Sequence, residues 1–197
     1  DELEPIVVNN PATGERVGTV PNAGRKETRQ AIDAAYEAFP EWAKRTAYER
    51  ADLLEKLYVR MLEATDELAE MMTLEMGKPL QESKGEVQYA ASFIKWYAEE
   101  AKRLYGRTIP SHIDGKRMLV IKQPVGVVGA ITPWNFPAAM ITRKLAPALA
   151  AGCTFIVKPA DESPLSALMI AELCEEVGIP KGVVNVVTGE ASPIGEE

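Results

Sequence analysis

Three observations predict an α/β fold in which a helical N-terminal segment precedes the first half of a doubly wound parallel sheet. Residues 125–197 alternate strand, helix, strand, helix, strand, and that order pairs strands in parallel through right-handed crossovers. The first hundred residues instead place apolar side chains at helical spacing. Between the two lies a short segment with hairpin chemistry.

The elements follow from local signals. Residues 5–20 (PIVVNNPATGERVGTV) read as two short strands, with Asn10-Pro11 and Thr13-Gly14 supplying the turn. Helical pattern begins near Arg25 and is expected to stop at Phe39, where Pro40 interrupts it. Residues 45–64 put Leu53, Leu54, Leu57, Tyr58, Met61 and Leu62 on one face. Thr65 is the expected cap of the next helix, with Asp66 and Glu67 in its first turn. Leu68, Met71, Met72 and Met76 form its apolar side, and Gly77 and Pro79 end it. Residues 82–104 read as one long helix containing Phe93, Trp96, Tyr97 and Leu104. The methionine and aromatic stripes of this half read as packing between helices rather than as a cofactor site.

The pattern changes at Gly106. Residues 107–123 read as a hairpin around Asp114-Gly115. Val125–Ile131 is a strand, Ala138–Ala151 a helix stopped by Gly152, and Thr154–Val157 a short buried strand. Ser163-Pro164 is a cap and first-turn pair opening a helix to about Val177. Val183–Val187 is the third strand. Three strands make half of a doubly wound sheet, and the sequence stops at Gly195-Glu196-Glu197, where a further helix is expected. The 197 residues therefore read as part of a larger domain.

Composition narrows the function classes. Lys plus Arg is 22 and Asp plus Glu is 29, a net charge of −7, which argues against nucleic acid as a partner. Residues 1–100 carry 20 acidic and 12 basic side chains, whereas residues 101–197 carry 9 and 10, so the second part is the better place for an anionic ligand. No apolar run is long enough to span a membrane. The acidic start, DELEPIVVNN, does not read as a targeting peptide, and a cytoplasmic setting is expected. Two cysteines and one histidine make a metal cluster or disulfide framework unexpected. His112 reads as a solvated loop residue, and Cys153 and Cys174 as buried structural thiols.

There is no G-x-G-x-x-G, Walker loop, H-E-x-x-H or G-x-S-x-G; Gly126 and Gly129 stand in a V-G-V-V-G run instead. The densest chemistry is TPWNFPAAMITRKLAPALAAGC at 132–153. Its first strand ends at Thr132-Pro133, and ligands bind at the carboxyl ends of such strands. Trp134 and Asn135 follow in a loop stiffened by Pro133 and Pro137. There the Asn135 amide is either a donor to a developing oxyanion or a cap of the turn. The second strand ends at VKPADESP, where Lys158 and Asp161 form either a ribose-binding pair or a surface ion pair.

PWNFP at 133–137, ALAAGCTFIVKPADESP at 148–164 and GIPKGVVNVVTG at 178–189 together resemble the aldehyde dehydrogenase superfamily, across essentially the whole chain. NFPAAMITRK at 135–144 is most similar to the succinate-semialdehyde group. The resemblance implies a Rossmann-like cofactor domain without the usual glycine fingerprint. It assigns 1–105 to the helical outer part of that domain, 106–124 to an oligomerisation hairpin, and 125–197 to the first half of the dinucleotide fold. It implies that Asn135 contributes to the oxyanion hole. Thr132, Pro133, Trp134 and Asn135 would line the cofactor groove, with Lys158 and Asp161 at the adenosine ribose and Ala191 and Ser192 near the adenine. Arg143 would hold the distal carboxylate of the substrate, a task suited to its planar fork.

The implied cofactor is NAD or NADP. The charge of Asp161 favours NAD, while its shortness and Lys158 leave room for NADP. The implied assembly is a homodimer or homotetramer acting on a small aldehyde, succinic semialdehyde being the expected substrate, with neither a membrane nor nucleic acid as partner. The family's nucleophilic cysteine matches neither Cys153 nor Cys174. The reading from a different class is a catalytically inactive cofactor-binding or assembly module.

Overall fold

The computed structural model describes residues 4–197. Strands β1 (Ile6–Asn9) and β2 (Arg16–Val20) pair antiparallel, as expected, with the Asn10 side chain accepting from the Ala12 N–H at 2.9 Å in the turn. Helix α1 (Arg25–Lys44) opens with the Glu27 carboxylate accepting the Gly24 N–H at 2.9 Å. It does not stop at Phe39, because Pro40 is accommodated inside it. A proline there deprives the Tyr36 carbonyl of its partner. Tyr36 is 71% exposed, so the interruption falls on the solvent face of the helix, where an unpaired carbonyl costs little.

Three helices follow: α2 (Ala47–Glu63), α3 (Thr65–Met76) and α4 (Leu80–Glu100). A capping box starts α2: Thr46 Oγ1 accepts from the Glu49 N–H at 3.2 Å, and Glu49 accepts from the Thr46 N–H at 2.7 Å. Thr65 is not the cap of α3. It is already helical, and its hydroxyl donates back to the Leu62 carbonyl at 2.6 Å because α3 follows α2 with only Ala64 between them. Gly77 ends α3 in the left-handed region, φ 78°, where a side chain would be strained. The long helix ends earlier than the pattern predicts: Ala101–Arg103 tighten into a 3₁₀ turn, and Leu104 lies outside it, exposed. Met61 and Met72 are fully buried, consistent with core packing, but Trp96 faces outward.

The hairpin of β3 (Arg107–Ile109) and β4 (Met118–Val120) forms as expected, and every residue in its strands is exposed. The sheet that positions the site is β5 (Val127–Ile131), β6 (Thr154–Lys158) and β7 (Val184–Val186), parallel in the order β5-β6-β7. The crossovers are α5 (Ala139–Ala150) and α6 (Leu165–Glu176). A last helix, α7 (Ala191–Glu196), begins before the point at which the sequence pattern places one.

Strand alternation divides the core in two. Phe155 and Val157 of β6 face α5 and α6 and join one apolar cluster with Leu54, Leu57, Met61, Leu68, Met72 and Ile94 of the helical segment. Ile156 faces the other way, into a smaller cluster with Ala35 of α1, Val187 and Ile194 of α7. Thr154 is on that second face and donates its hydroxyl to the Ala35 carbonyl at 2.9 Å. On the α5 and α6 face, the sheet and the helical segment therefore share one apolar cluster.

Candidate active and cofactor site

The carboxyl ends of the three parallel strands open onto one place. Residues on the α1 face of the sheet (Ile131, Ile156, Lys158, Val187) and on α7 (Ile194, Gly195) enclose a cavity of about 270 Å³. Its walls are mostly apolar, with Lys158, Glu197 and Thr28 the polar side chains among them. Lys158 ends β6, is 6% exposed, and its Nζ lies 2.5 Å from Asp161 Oδ1. Lys158 lines the cavity, and its partner Asp161 is half-buried. A mostly apolar slot at the carboxyl ends of parallel strands stands where open α/β sheets bind ligands. Ala191 and Ser192 are exposed at the start of α7, and the Ser192 hydroxyl donates to Glu196 at 3.0 Å.

The loop after β5 continues the sheet for one residue. Thr132 is buried, and its N–H donates to the Lys158 carbonyl at 3.1 Å. Trp134 and Asn135 are exposed at the loop's crest, and the Ser163 hydroxyl donates to the Trp134 carbonyl at 3.4 Å. Ser163 therefore braces the neighbouring loop and does not cap α6. The structure brings Thr132, Lys158 and Asp161 together at the ends of β5 and β6, with Pro133, Trp134 and Asn135 following in the same loop.

Arg143 lies one turn into α5, about 6 Å along the axis from Ala139 at 1.5 Å per residue. It is exposed, with its guanidinium 5.3 Å from the centroid of the Phe93 ring on α4 and Nη1 3.8 Å from Met140 Sδ. Lys144 beside it is partly buried and donates to the Met140 carbonyl at 3.1 Å. Burial, and then the charge of Arg143, lower the Lys144 pKa. This end of α5 thus presents positive charge to solvent.

Three functional candidates escape the sequence reading. The Glu86 carboxylate, on α4, accepts the Ala138 and Ala139 N–H groups at 3.0 and 3.2 Å, so it caps α5 from outside. Its other oxygen pairs with Lys78. Lys78 also donates to the Asn135 carbonyl at 2.9 Å and lies 4.1 Å from the Phe136 ring centroid. Glu75, on α3, does the same for α6, accepting the Leu165 and Ser166 N–H groups at 2.7 and 3.0 Å and the Ser166 hydroxyl. Burial raises the Glu75 pKa, and the hydrogen bonds from Ser166 and Leu165 only partly oppose it. The available signal was a carboxylate inside an apolar stripe: Glu86 interrupts Ser83, Val87, Ala90 and Ile94, all buried.

The chain's thiols are remote from this chemistry. Cys153 and Cys174 are free and buried, and burial pushes the Cys174 pKa up to about 12. Among the described residues, no three His, Cys, Asp or Glu side chains gather to hold a metal, and no helix is long and apolar enough to cross a membrane.

Comparison with known proteins shows the family of the chain. The sequence model of the Aldehyde dehydrogenase family matches residues 1–197. A glutarate-semialdehyde dehydrogenase of Pseudomonas aeruginosa is 60% identical over 197 residues, which is 100% of this chain and 41% of that protein. A succinate-semialdehyde dehydrogenase [NADP(+)] of Escherichia coli is 60% identical over 194 residues, 98% of this chain and 40% of that protein. The crystal structure of an E. coli NADP-dependent enzyme superposes with a TM-score of 0.97 at 60% identity, covering 98% of this chain and 40% of that one. The chain thus spans about two fifths of the length of the relatives it matches.

Proposed function

From the premise that the chain belongs to the aldehyde dehydrogenase family, we propose that it is part of an NAD(P)-dependent enzyme oxidising a small aldehyde that carries a distal carboxylate, with succinic semialdehyde the first expectation. The observation that carries this reading is Arg143: a free guanidinium fork exposed on α5, one turn beyond the loop that bears Asn135. A carboxylate accepts two parallel hydrogen bonds from such a fork, and the fork has no carboxylate partner among the described residues. The names of the two relatives above describe enzymes for substrates of this class.

In this proposal the Asn135 side-chain amide donates to the oxygen of the aldehyde as charge develops on it. The backbone from Thr132 to Trp134 lines the groove for the cofactor. Lys158 and Asp161 hold the adenosine ribose, and Ala191 and Ser192 flank the adenine. NAD(P), when bound, supplies the hydride acceptor. Asp161 keeps negative charge where a 2′-phosphate would sit, which favours NAD, although Lys158 is placed to receive that phosphate. The nucleophile is neither Cys153 nor Cys174, since both are buried away from the loop, and it is expected in the part of the enzyme that this stretch does not span.

We assign residues 1–105 to the helical outer part of the cofactor domain, 106–124 to an oligomerisation hairpin, and 125–197 to the first half of the dinucleotide-binding fold. Leu119 and Ile121, 73% and 70% exposed at the hairpin, support homo-oligomerisation, as a dimer or tetramer. A cytoplasmic setting agrees with the free thiols. The test is the full-length enzyme's kcat/KM for succinic semialdehyde against butanal, which has the same number of carbons and no carboxylate. A preference of at least about 30-fold, the equivalent of roughly 2 kcal/mol, is expected. Equal rates would overturn the substrate assignment.

A further inference from the structure

Lys78 and Glu86 sit outside the strand-end site, yet they hold the loop that carries Asn135, at its crest and at its junction with α5. The Glu86 side chain is almost fully buried, and that of Lys78 nearly so. One Glu86 oxygen accepts two backbone N–H groups, of Ala138 and Ala139, where the loop becomes α5. The other pairs with Lys78, whose ammonium donates to the carbonyl of Asn135 itself. The aliphatic and charged end of Lys78 also lies against the Phe136 ring. The Asn135 carbonyl and the Ala138 and Ala139 N–H groups are thereby tied to one ion pair.

We propose that Lys78 and Glu86 are positioning residues that aim the Asn135 side chain. The inference rests on the oxyanion role proposed above for Asn135 and assigns the device that makes that role effective. Fixing the Asn135 carbonyl fixes the peptide plane that follows its Cα. Fixing the Ala138 and Ala139 N–H groups anchors the far end of the same short loop. The direction of the Asn135 side chain is then set by backbone held at its own carbonyl and at the α5 junction, even though the side chain is exposed. A preorganised donor stabilises developing charge without reorganising during the reaction. A free loop of this length would lose that advantage, and misplacement by about 1 Å can cost roughly 100-fold in rate. The pair can do this because the Glu86 carboxylate is buried, so Lys78 cannot leave without stranding that charge.

The experiment is a double-mutant cycle in the full-length enzyme, with Lys78→Met, Asn135→Ala and the double variant, reading single-turnover rates and the KM for the aldehyde. Asn135→Ala is expected to slow turnover about 100- to 1,000-fold. Lys78→Met should slow it roughly 100-fold with KM for the aldehyde little changed. The double variant should be no slower than Asn135→Ala alone, because a mis-aimed amide and a missing one are equivalent. Losses that multiply, or an undiminished rate in Lys78→Met, overturn the positioning role. An undiminished rate in Asn135→Ala instead overturns the oxyanion assignment, so the two failures are distinct. If Lys78→Met does not yield folded enzyme, Glu86→Gln takes its place in the same cycle. It keeps one acceptor for the α5 N–H groups but removes the charge that holds Lys78, and the same non-additivity is required of it.

Discussion

Replacing Arg143 by alanine is the sharpest perturbation of the proposed substrate site. A bidentate guanidinium–carboxylate pair makes two charge-assisted hydrogen bonds, each worth roughly 1.5–3 kcal/mol. Two structural facts reduce that sum. Arg143 is exposed, so solvent screens the pair. Its guanidinium also rests near the Phe93 ring, an exposed cation–π contact worth about 0.5–1 kcal/mol that is weakened if the side chain swings toward a substrate. About 2–3 kcal/mol is left, which corresponds to roughly 30- to 150-fold in kcat/KM. Arg143→Ala in the full-length enzyme should therefore lose about that factor with succinic semialdehyde, mostly through KM, and less than about twofold with butanal. Arg143→Lys keeps the charge but not the fork, and should fall between the two. Steady-state rates of cofactor reduction for both substrates decide the matter. An equal loss on both would mean that Arg143 supports the helix and not the carboxylate.

Three further expectations follow from other residues. Asp161→Ser removes the negative charge beside Lys158 and frees its ammonium, so the NADP-to-NAD ratio of kcat/KM should rise by about tenfold or more, roughly 1.4 kcal/mol; a ratio unchanged from the parent would dissociate Asp161 from cofactor choice. Glu75 has a folded pKa raised above its ordinary value of 4.5, so between those two values the native state binds the extra proton and stability falls as pH rises. Urea midpoints measured across the acidic range should show this downward slope, flattened in Glu75→Gln; parallel curves would contradict it. Brief alkylation of the native protein at neutral pH, mapped by peptide mass spectrometry, should leave Cys153 and Cys174 unmodified, while denaturation should expose both. Labelling of either in the native protein would contradict their burial.

The parts legible in the sequence were those set by local periodicity or by a single local signal. The parallel sheet, its two crossovers and the Asp114-Gly115 hairpin formed as patterned, as did the stop of α3 at Gly77. The misreadings share a physical origin, which is that a residue's partner lay elsewhere. Pro40 breaks a helix when its lost hydrogen bond is buried, but Tyr36 is open to water. Ser163 has the residue type of a cap, yet the two N–H groups it would serve are already taken by Glu75. Thr65 has the residue type of a cap, but α3 is already under way after Ala64, and its hydroxyl turns to the helix behind it. At the site, Lys158 and Asp161 were legible as a pair because they are three residues apart. Lys78 and Asn135, far apart in sequence, were not.

The two buried carboxylates explain why the helical segment and the sheet belong to one unit. A crossover helix in a parallel sheet starts at the strand ends where ligands bind, and its first N–H groups lack intrahelical partners. Serine or aspartate at the cap is the local solution. Here α5 and α6 take the remote one, with Glu86 of α4 and Glu75 of α3 reaching across the core. A local cap would satisfy the N–H groups but leave the loop free to move with its own helix. A cap from a separate, buried helix ties the loop to a second body, and in the case of Glu86 it brings Lys78 with it to the Asn135 carbonyl. The helical layer is thus more than a cover for the sheet: its packing against α5 sets where the strand-end loop can stand. It follows that a cavity cut between these layers, as by Ile94→Ala at a fully buried α4 position, should cost about 2–5 kcal/mol of stability. The same cavity should also disturb turnover through the α4–α5 contact. If the loss of stability appears while single-turnover rates stay intact, the loop is held by its own turn, and the two layers are joined by packing alone.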